Sequence, residues 1–407
     1  MATFDTGTTA FMILSTSLVM LMTPGLAFFY GGLAGKRNIL GIMMQTFVSL
    51  GITTIMWISV GYSLCFSGGE GGIIGDLSHA FLKGIPFTES FGGAGEQYPV
   101  YIFIAYQMMF AIITPALITG AFVNRVTFKA YLVFLVLWQL FVYYPFVHMI
   151  WGGGILAQWG VLDFAGGVVV HATAGFAALA SVFYVGKRRD KASPPNSIPL
   201  VAIGTGLLWF GWYGFNAGSE LKVNAVTTLA FLNTDVAASF ATITWLIIEW
   251  VREGKPKFVG LLTGAVAGMA TITPAAGFVP LWAAIVIGIA AGSLCYVAVQ
   301  LKNKWGWDDA LDVWGVHGMG GVIGTISLGI FASAAVNGQS GLIEGNGGFF
   351  MKEVVAVLIG ATYAFVFTYL MLAVINLFTK VKVTEEMEDL GLDESLHGER
   401  AYDEGAL

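Results

Sequence analysis

Eleven apolar stretches, nearly free of charge and separated by short polar ones, divide this sequence of 407 residues. They run over about 9–34, 42–66, 99–124, 130–149, 165–186, 197–217, 226–250, 258–276, 281–300, 309–334 and 350–379. As helices rising 1.5 Å per residue, each reaches across an apolar slab of ~30 Å. Charged residues make up 11% of the chain and hydrophobic ones 57%, whereas soluble domains carry roughly 25% charged residues. Such a chain cannot cover a water-facing surface. A soluble enzyme, a disordered protein and a nucleic-acid binder are excluded, which leaves an all-α, multi-pass protein of the cell membrane, with the lipid bilayer as its surroundings. The 54 glycines fit, because close helix packing in lipid favours small residues.

Charge sets the expected orientation. No basic residue precedes the first stretch, which runs on to Lys36-Arg37 and reads as a retained helix, not a cleaved signal. With the N-terminus outside, only Lys83, Lys222 and Lys352 of the 19 basic residues fall on the outer side. The positive-inside rule then gives N-out and C-in. The net charge of −6 is not spread over the chain: residues 381–407 hold nine acidic residues against Lys382 and Arg400. The expected division is a membrane domain, 1–380, and an acidic cytoplasmic tail, 381–407, acting as a regulatory or docking element.

Two segments share a spacing. Asp163 and His171 are eight apart at the start of the fifth stretch, and Asp309 and His317 are eight apart at the start of the tenth. They are five helices apart, and an odd number of helices per unit inverts the second unit. Helices 1–5 and 6–10 are therefore expected to form a 5+5 inverted, pseudo-twofold pair, with a long eleventh helix added. Ionisable groups deep in a membrane are expensive and mark function. Two facing neutral imidazoles could share one hydrogen bond and offer a donor or acceptor to something small, such as water or ammonia, or ligate a haem iron. Asp163 reads as a helix cap, as a stabiliser of a cation at a pore mouth, or as both. Asp308, Asp309 and Asp312 read as the capping cluster on the other side.

Aromatic residues add a second signal. Phe110, Trp151 and Phe215, with the Ser219 hydroxyl, could form a cation–π cage, worth about 0.5–2 kcal/mol per ring. That can capture a cation but cannot carry it through an apolar lumen, so the proton should leave the nitrogen. Cys65 and Cys295 lie in apolar runs without metal spacing and read as free thiols. No metal or cofactor is expected.

Several segments together resemble the ammonium transporter (Amt/Mep/Rh) family, in its microbial Amt branch. They are Gly25-Leu-Ala-Phe-Phe-Tyr-Gly-Gly32, Asp163-Phe-Ala-Gly-Gly-Val-Val-Val-His171, Gly211-Trp-Tyr-Gly-Phe-Asn-Ala-Gly-Ser219, Asp308-Asp-Ala-Leu-Asp-Val-Trp-Gly-Val-His317 and Gly391-Leu-Asp-Glu-Ser-Leu-His-Gly-Glu-Arg-Ala-Tyr402. The resemblance implies a homotrimer with one pore per subunit. It implies an outer ammonium recruitment site of Phe110, Trp151 and Ser219 supported by Asp163, a gate of Phe110 and Phe215, and twin histidines His171 and His317 in the lumen. Gln107, Phe29, Tyr30, Trp212 and Val313 would line the pore. The tail residues Gly391, Asp393, His397, Gly398, Glu399 and Tyr402 would be regulatory, and a PII-type signalling protein is an implied partner on the cytoplasmic face. Two positions depart from the family pattern: Val168 replaces a hydroxyl residue, and Asn124 replaces an acidic residue before Arg125, which removes an inner-face ion pair.

The reading is an electrogenic ammonium transporter or channel, not an enzyme, that passes ammonia through its pore. The alternative is an ammonium sensor or transceptor signalling through the tail. A haem protein ligated by the two histidines is disfavoured, because each histidine sits in a different repeat beside an Asp and no other cofactor signal exists.

Overall fold

The computed structural model describes residues 4–189 and 193–402. Lys191, one of the basic residues expected on the inner side, and the end of the tail beyond Tyr402 lie outside them. In chain order the long helices are α1 (Thr6–Leu33), α2 (Ile39–Phe66), α3 (Val100–Ile118), α4 (Phe128–Trp159), α5 (Gly167–Val185), α6 (Ile198–Glu220), α7 (Ala225–Glu253), α8 (Phe258–Ile272), α9 (Leu281–Trp305), α10 (Trp314–Phe331) and α11 (Gly347–Phe378). Two short helices, α12 (Glu385–Leu390) and α13 (Leu392–His397), make up the tail. A small hairpin, β1 (Ser90–Phe91) paired with β2 (Tyr98–Pro99), sits in the long α2–α3 connection.

Among the described residues ten of these helices are long and apolar enough to cross a membrane, which makes this a multi-pass membrane protein. The eleventh, α8, is apolar but shorter than the sequence suggests: it holds 15 residues, a rise of about 22 Å, and stops before Thr273-Pro274. Other ends move for local reasons. The tenth helix begins at Trp314 and not at 309, because the Asp309 carboxylate accepts the amides of Val313 and Trp314 from outside the helix. The third ends at Ile118, and α4 resumes after a break to reach Trp159.

Several helix starts carry side-chain caps. Asp5 accepts from the amide of Thr8, Ser197 from Leu200, and Asn346 from Phe349, while Asn224 and Thr227 form a capping box. Isoleucine, leucine and phenylalanine side chains such as Ile243, Ile247, Leu370 and Phe378 remain exposed on the outside, as a bilayer-facing surface requires.

The core is built on close approaches between α1 and α6 and between α5 and α10. A β-carbon on Gly204 of α6 would lie 2.3 Å from the Phe29 amide nitrogen of α1. On Gly175 of α5 it would lie 2.1 Å from the Gly318 α-carbon of α10. Only glycine permits that second contact, four residues after His171 and one after His317. The two histidine-bearing helices thus cross backbone to backbone beside their histidines.

Candidate functional site

Both histidines sit in π-helical turns, His171 in Gly167–Ala172 and His317 in Trp314–Gly318. Further π-turns occur in α4 (Gln139–Tyr143) and α9 (Ala291–Cys295), the helices just before each histidine helix, and in α2. Such turns recur at functional sites because they widen the helix and redirect a side chain. Here the two imidazoles face each other with their Nδ1 atoms 3.3 Å apart, ring centroids 5.3 Å apart and planes inclined by 20°. Both residues are buried. Nitrogens this close, on near-parallel rings, leave no gap for a porphyrin between them, so the haem alternative fails on geometry.

The chemistry of the pair follows from counting protons. A neutral imidazole carries one N–H and one acceptor nitrogen. If one Nδ1 donates to the other, the donating ring has a bare Nε2 and the accepting ring an Nε2–H. The pair therefore presents one acceptor and one donor. The His171 Nε2 has no hydrogen-bond partner among the described residues.

Around the histidines lies a small cavity of about 10 Å³, roughly the room one water needs. Its wall is apolar apart from the imidazoles, with Leu26, Phe29, Ile113, Val170, Leu208, Trp212 and Phe215 among the lining residues. Trp212 and Phe215 stack against His171, with centroids 5.5 and 6.0 Å from its ring. The Trp212 indole N–H donates to Thr273 Oγ1 at 2.9 Å, which fixes the ring without offering a donor to the lumen.

Two wider chambers flank this cavity. Beneath the α2–α3 connection lies a vestibule of about 480 Å³, lined by Tyr62, Phe66, Phe91, Phe103, Gln107, Phe110, Trp151, Phe164 and Ser219. The Phe110 ring forms its floor and packs on Phe215, with centroids 4.3 Å apart, and both rings are buried. Trp151 meets Phe110 edge-on at 5.9 Å. On the tail side a chamber of about 200 Å³ is bounded by Phe29, Tyr30, Asn124, Arg188, Asp312 and His317. Phe29 and His317 line both this chamber and the small cavity. Val313 is buried beside the Tyr30 ring, both close to Gly120.

Asp163 is a cap of unusual completeness. Its Oδ1 accepts from Gly166 and Gly167 at 2.8 and 2.6 Å, and its Oδ2 from Val168 and Val169 at 2.8 and 3.0 Å. All the lone-pair directions of the carboxylate are taken. Gly166, at φ 119°, turns the chain so that these amides converge. No ion pair to a basic side chain is formed by Asp163 among the described residues. The Asp163 carbonyl accepts the Trp151 indole N–H at 2.8 Å, so cap and ring are one unit. Val168 packs against Gly360 of α11 and makes no side-chain hydrogen bond there.

Tyr106, Glu353 and Lys302 escaped the sequence reading. The Tyr106 hydroxyl lies 2.9 Å from the carbonyls of Gly214 and Phe215 and 3.2 Å from Ser219 Oγ, and Ser219 itself donates to the Phe215 carbonyl at 2.8 Å. Its one available signal was its place one helical turn before Phe110. Lys302, nearly buried, donates to the Asp309 carbonyl at 2.7 Å and pairs with Asp312 at 2.5 Å. Arg188 pairs with Asp308 at 2.8 Å, and Arg125 lies 3.8 Å from the same carboxylate. Arg125 also donates to the carbonyls of Gly186 and Ala121. The partner that Asn124 does not supply is thus taken over by Asp308 and backbone carbonyls.

The tail lies against the helix ends. The Asp393 carboxylate accepts the amides of Ile39 and Gly41 at 3.0 and 2.7 Å, capping α2 from 354 and 352 residues away in sequence. Burial pushes its carboxyl up from the ordinary value. Gly391, at φ 98°, passes so close to Arg37 that a β-carbon would lie 2.5 Å from the Arg37 β-carbon. His397 packs edge-on against Phe128 at 5.2 Å, the Tyr402 hydroxyl accepts from Asn196, and the Glu399 amide donates to the Asp393 carbonyl. Gly398, at φ 66°, ends α13. Arg189 pairs with Glu385 and Asp389, and Val126 bridges Lys382.

Comparison with known proteins agrees with this architecture. The family described as Ammonium Transporter Family matches residues 10–402. An ammonium transporter of Bacillus subtilis is 46% identical over 402 residues, which cover 97% of this chain and 98% of that one. Among solved structures, Mep2 of Saccharomyces cerevisiae superimposes with a TM-score of 0.87 at 32% identity, covering 94% of this chain and 88% of that chain. A protein described as a sensor Amt protein superimposes with a TM-score of 0.86 at 29% identity, covering 95% of this chain and 97% of that chain.

Proposed function

The chain belongs to the ammonium transporter family, and on that premise we propose that it takes ammonium from the outside, separates its proton and passes ammonia past His171 and His317. The observation that carries this reading is the sequence of chambers: an aromatic vestibule, a closed pair of phenylalanines, and an apolar constriction broken only by two imidazoles.

Ammonium enters the vestibule and is held by the faces of Phe110 and Trp151, with Ser219 as hydrogen-bonding group and Asp163 as the fixed negative charge. Each ring contributes about 0.5–2 kcal/mol, far too little to offset dehydration of an ion in an apolar lumen. Beyond Phe110 and Phe215 the cargo is therefore ammonia. The donor-and-acceptor ends of the histidine pair fit a molecule that both donates and accepts. The proton follows separately along the histidines, which makes transport electrogenic.

The assembly is a homotrimer with N-out, C-in topology, supported by the excess of basic residues on the tail side. The paired π-turns of α4–α5 and α9–α10 support a 5+5 inverted arrangement with α11 added. The docked acidic tail is the landing region for a PII-type signalling protein. A sensing role is the second reading, supported by the tail's direct capping of α2 and by the likeness to a sensor Amt protein.

Ammonium uptake by proteoliposomes of the purified protein tests the reading. Transport should be saturable and lost in His171→Ala and in His317→Ala. Undiminished transport by both variants would remove the lumen from the account.

A further inference from the structure

Glu353 of α11 is completely buried, yet lines none of the chambers described above. Its Oε1 accepts the Leu162 amide at 2.7 Å. Its Oε2 has no hydrogen-bond partner among the described residues. A carboxyl group left half-satisfied in the interior of a membrane domain is costly, and a leucine there would pack without that cost. The group is held in place by its neighbours: a β-carbon on Gly329 of α10 would lie 3.3 Å from the Glu353 β-carbon.

What Glu353 grips is the segment that places Phe164 in the vestibule wall and Asp163 beside Trp151. Leu162 precedes Asp163, whose carbonyl fixes the Trp151 indole N–H at 2.8 Å and whose carboxylate gathers the first amides of α5. The segment has no helix or strand of its own to hold it. It is tied to the rest of the protein by the Phe164 amide, which donates to the Pro274 carbonyl at 3.1 Å, and by Glu353. The second contact comes from α11, a helix outside the Asp–His pairing.

We propose that Glu353 is a positioning residue for ammonium recruitment: by holding the Leu162 amide it sets the height of Asp163 and hence the tilt of Trp151 over Phe110. The inference rests on the reading of Trp151 as a cation-binding ring. Loss of the acceptor frees the segment, lets the indole swing from its edge-on contact, and weakens capture while leaving the histidine lumen intact.

The test uses full-length protein in proteoliposomes, with currents measured on a solid-supported membrane over a range of ammonium concentrations. Glu353→Gln keeps an oxygen for the Leu162 amide, and Glu353→Leu removes it. Glu353→Leu should raise the half-saturating concentration about tenfold, the scale of one buried hydrogen bond, with a much smaller fall in maximal current. Glu353→Gln should stay within about twofold of wild type, since the acceptor survives. Should the leucine variant fail to fold, Glu353→Asp, which withdraws the acceptor by one methylene, should shift half-saturation in the same direction. Wild-type half-saturation in the leucine or aspartate variant overturns the proposal, and so does a glutamine variant as impaired as the leucine one. Absence of ammonium-selective current in wild type would instead overturn the recruitment reading itself.

Discussion

The Nδ1 atoms of His171 and His317 lie 3.3 Å apart on rings inclined by 20°, so the two imidazoles share one proton and behave as one polar object in an apolar tube. Removing either ring leaves the other without its partner and destroys the donor–acceptor ends together. The effects of the two substitutions should therefore not add. Ammonium uptake by the double variant His171→Ala/His317→Ala should be no lower than by the worse single variant. Residual uptake in both single variants that disappears only in the double variant would show two independent groups.

Asp163 and Ser219 differ in how much structure depends on them. Four amides converge on the Asp163 carboxylate, whereas Ser219 Oγ makes a single donation to a carbonyl and a contact with Tyr106. Asp163→Ala should inactivate transport, and Asp163→Asn should come close to it, because an amide NH₂ would face two N–H donors. A single lost cap contributes about 0.5–2 kcal/mol, and here several bonds go at once. Ser219→Ala should retain measurable uptake. Wild-type uptake by Asp163→Ala would contradict this ordering.

The contact between α5 and α10 has no room for a methyl group. A β-carbon on Gly175 would meet the Gly318 α-carbon at 2.1 Å. Gly175→Ala should part the helices and with them the histidines, at a cost of about 1–3 kcal/mol or more from overpacking. A lower melting temperature in detergent together with lost uptake is the expected result, while Gly206→Ala, where a β-carbon meets nothing within 4 Å, should leave both unchanged.

The Asp308–Arg125 pair beneath the histidines should be insensitive to pH in the neutral range. Burial raises the Asp308 carboxyl, but its hydrogen bonds to Arg188 and the charge of Arg125 outweigh this and hold it below the ordinary value of 3.8. Burial pushes Arg125 down to about 10, against the pull of Asp308, so it stays cationic at neutral pH. A carboxyl lowered by folding contributes stability that is present above its unfolded value and lost as pH falls through its folded one. Asp308→Asn should destabilise the protein by about 3–5 kcal/mol at pH 7, since it strands a buried arginine. Thermal unfolding should show that difference constant from pH 5 to 8 and shrinking only below the ordinary carboxylate range.

The tail decides between transport and sensing. Deleting residues 381–407 removes the Asp393 cap from α2 and the bridge to Val126. If transport depends on the docked tail, uptake falls with the deletion. Retained uptake with lost nitrogen signalling in cells would separate the two roles.

Much of this was legible in the sequence, and the physical reason is the scarcity of polar groups. In a chain this apolar, His171, His317 and Asp163 stand out because each needs a reason to be there, and the eight-residue interval of Asp163–His171 and Asp309–His317 falls on the two helices that meet. What was not legible depended on contacts between distant segments. The π-turns have no sequence signature, and the role of Gly175 emerges only when Gly318 is beside it. Glu353 reads as an ordinary polar residue near a helix start until Leu162 is found at its carboxylate. The length of α8 was misjudged because Thr273-Pro274 ends the helix inside an apolar run that hydropathy does not interrupt. The long reach of Asp393 to α2 was likewise hidden, since a cap supplied from the far end of the chain leaves no local trace.

The most direct test of the central claim is the current produced on a solid-supported membrane when purified wild-type protein meets an ammonium jump, compared with equal jumps of potassium. A saturable current should appear with ammonium, none with potassium, and none with ammonium in the His171→Ala/His317→Ala variant. An equal current with potassium, or an undiminished ammonium current in the variant, would contradict it.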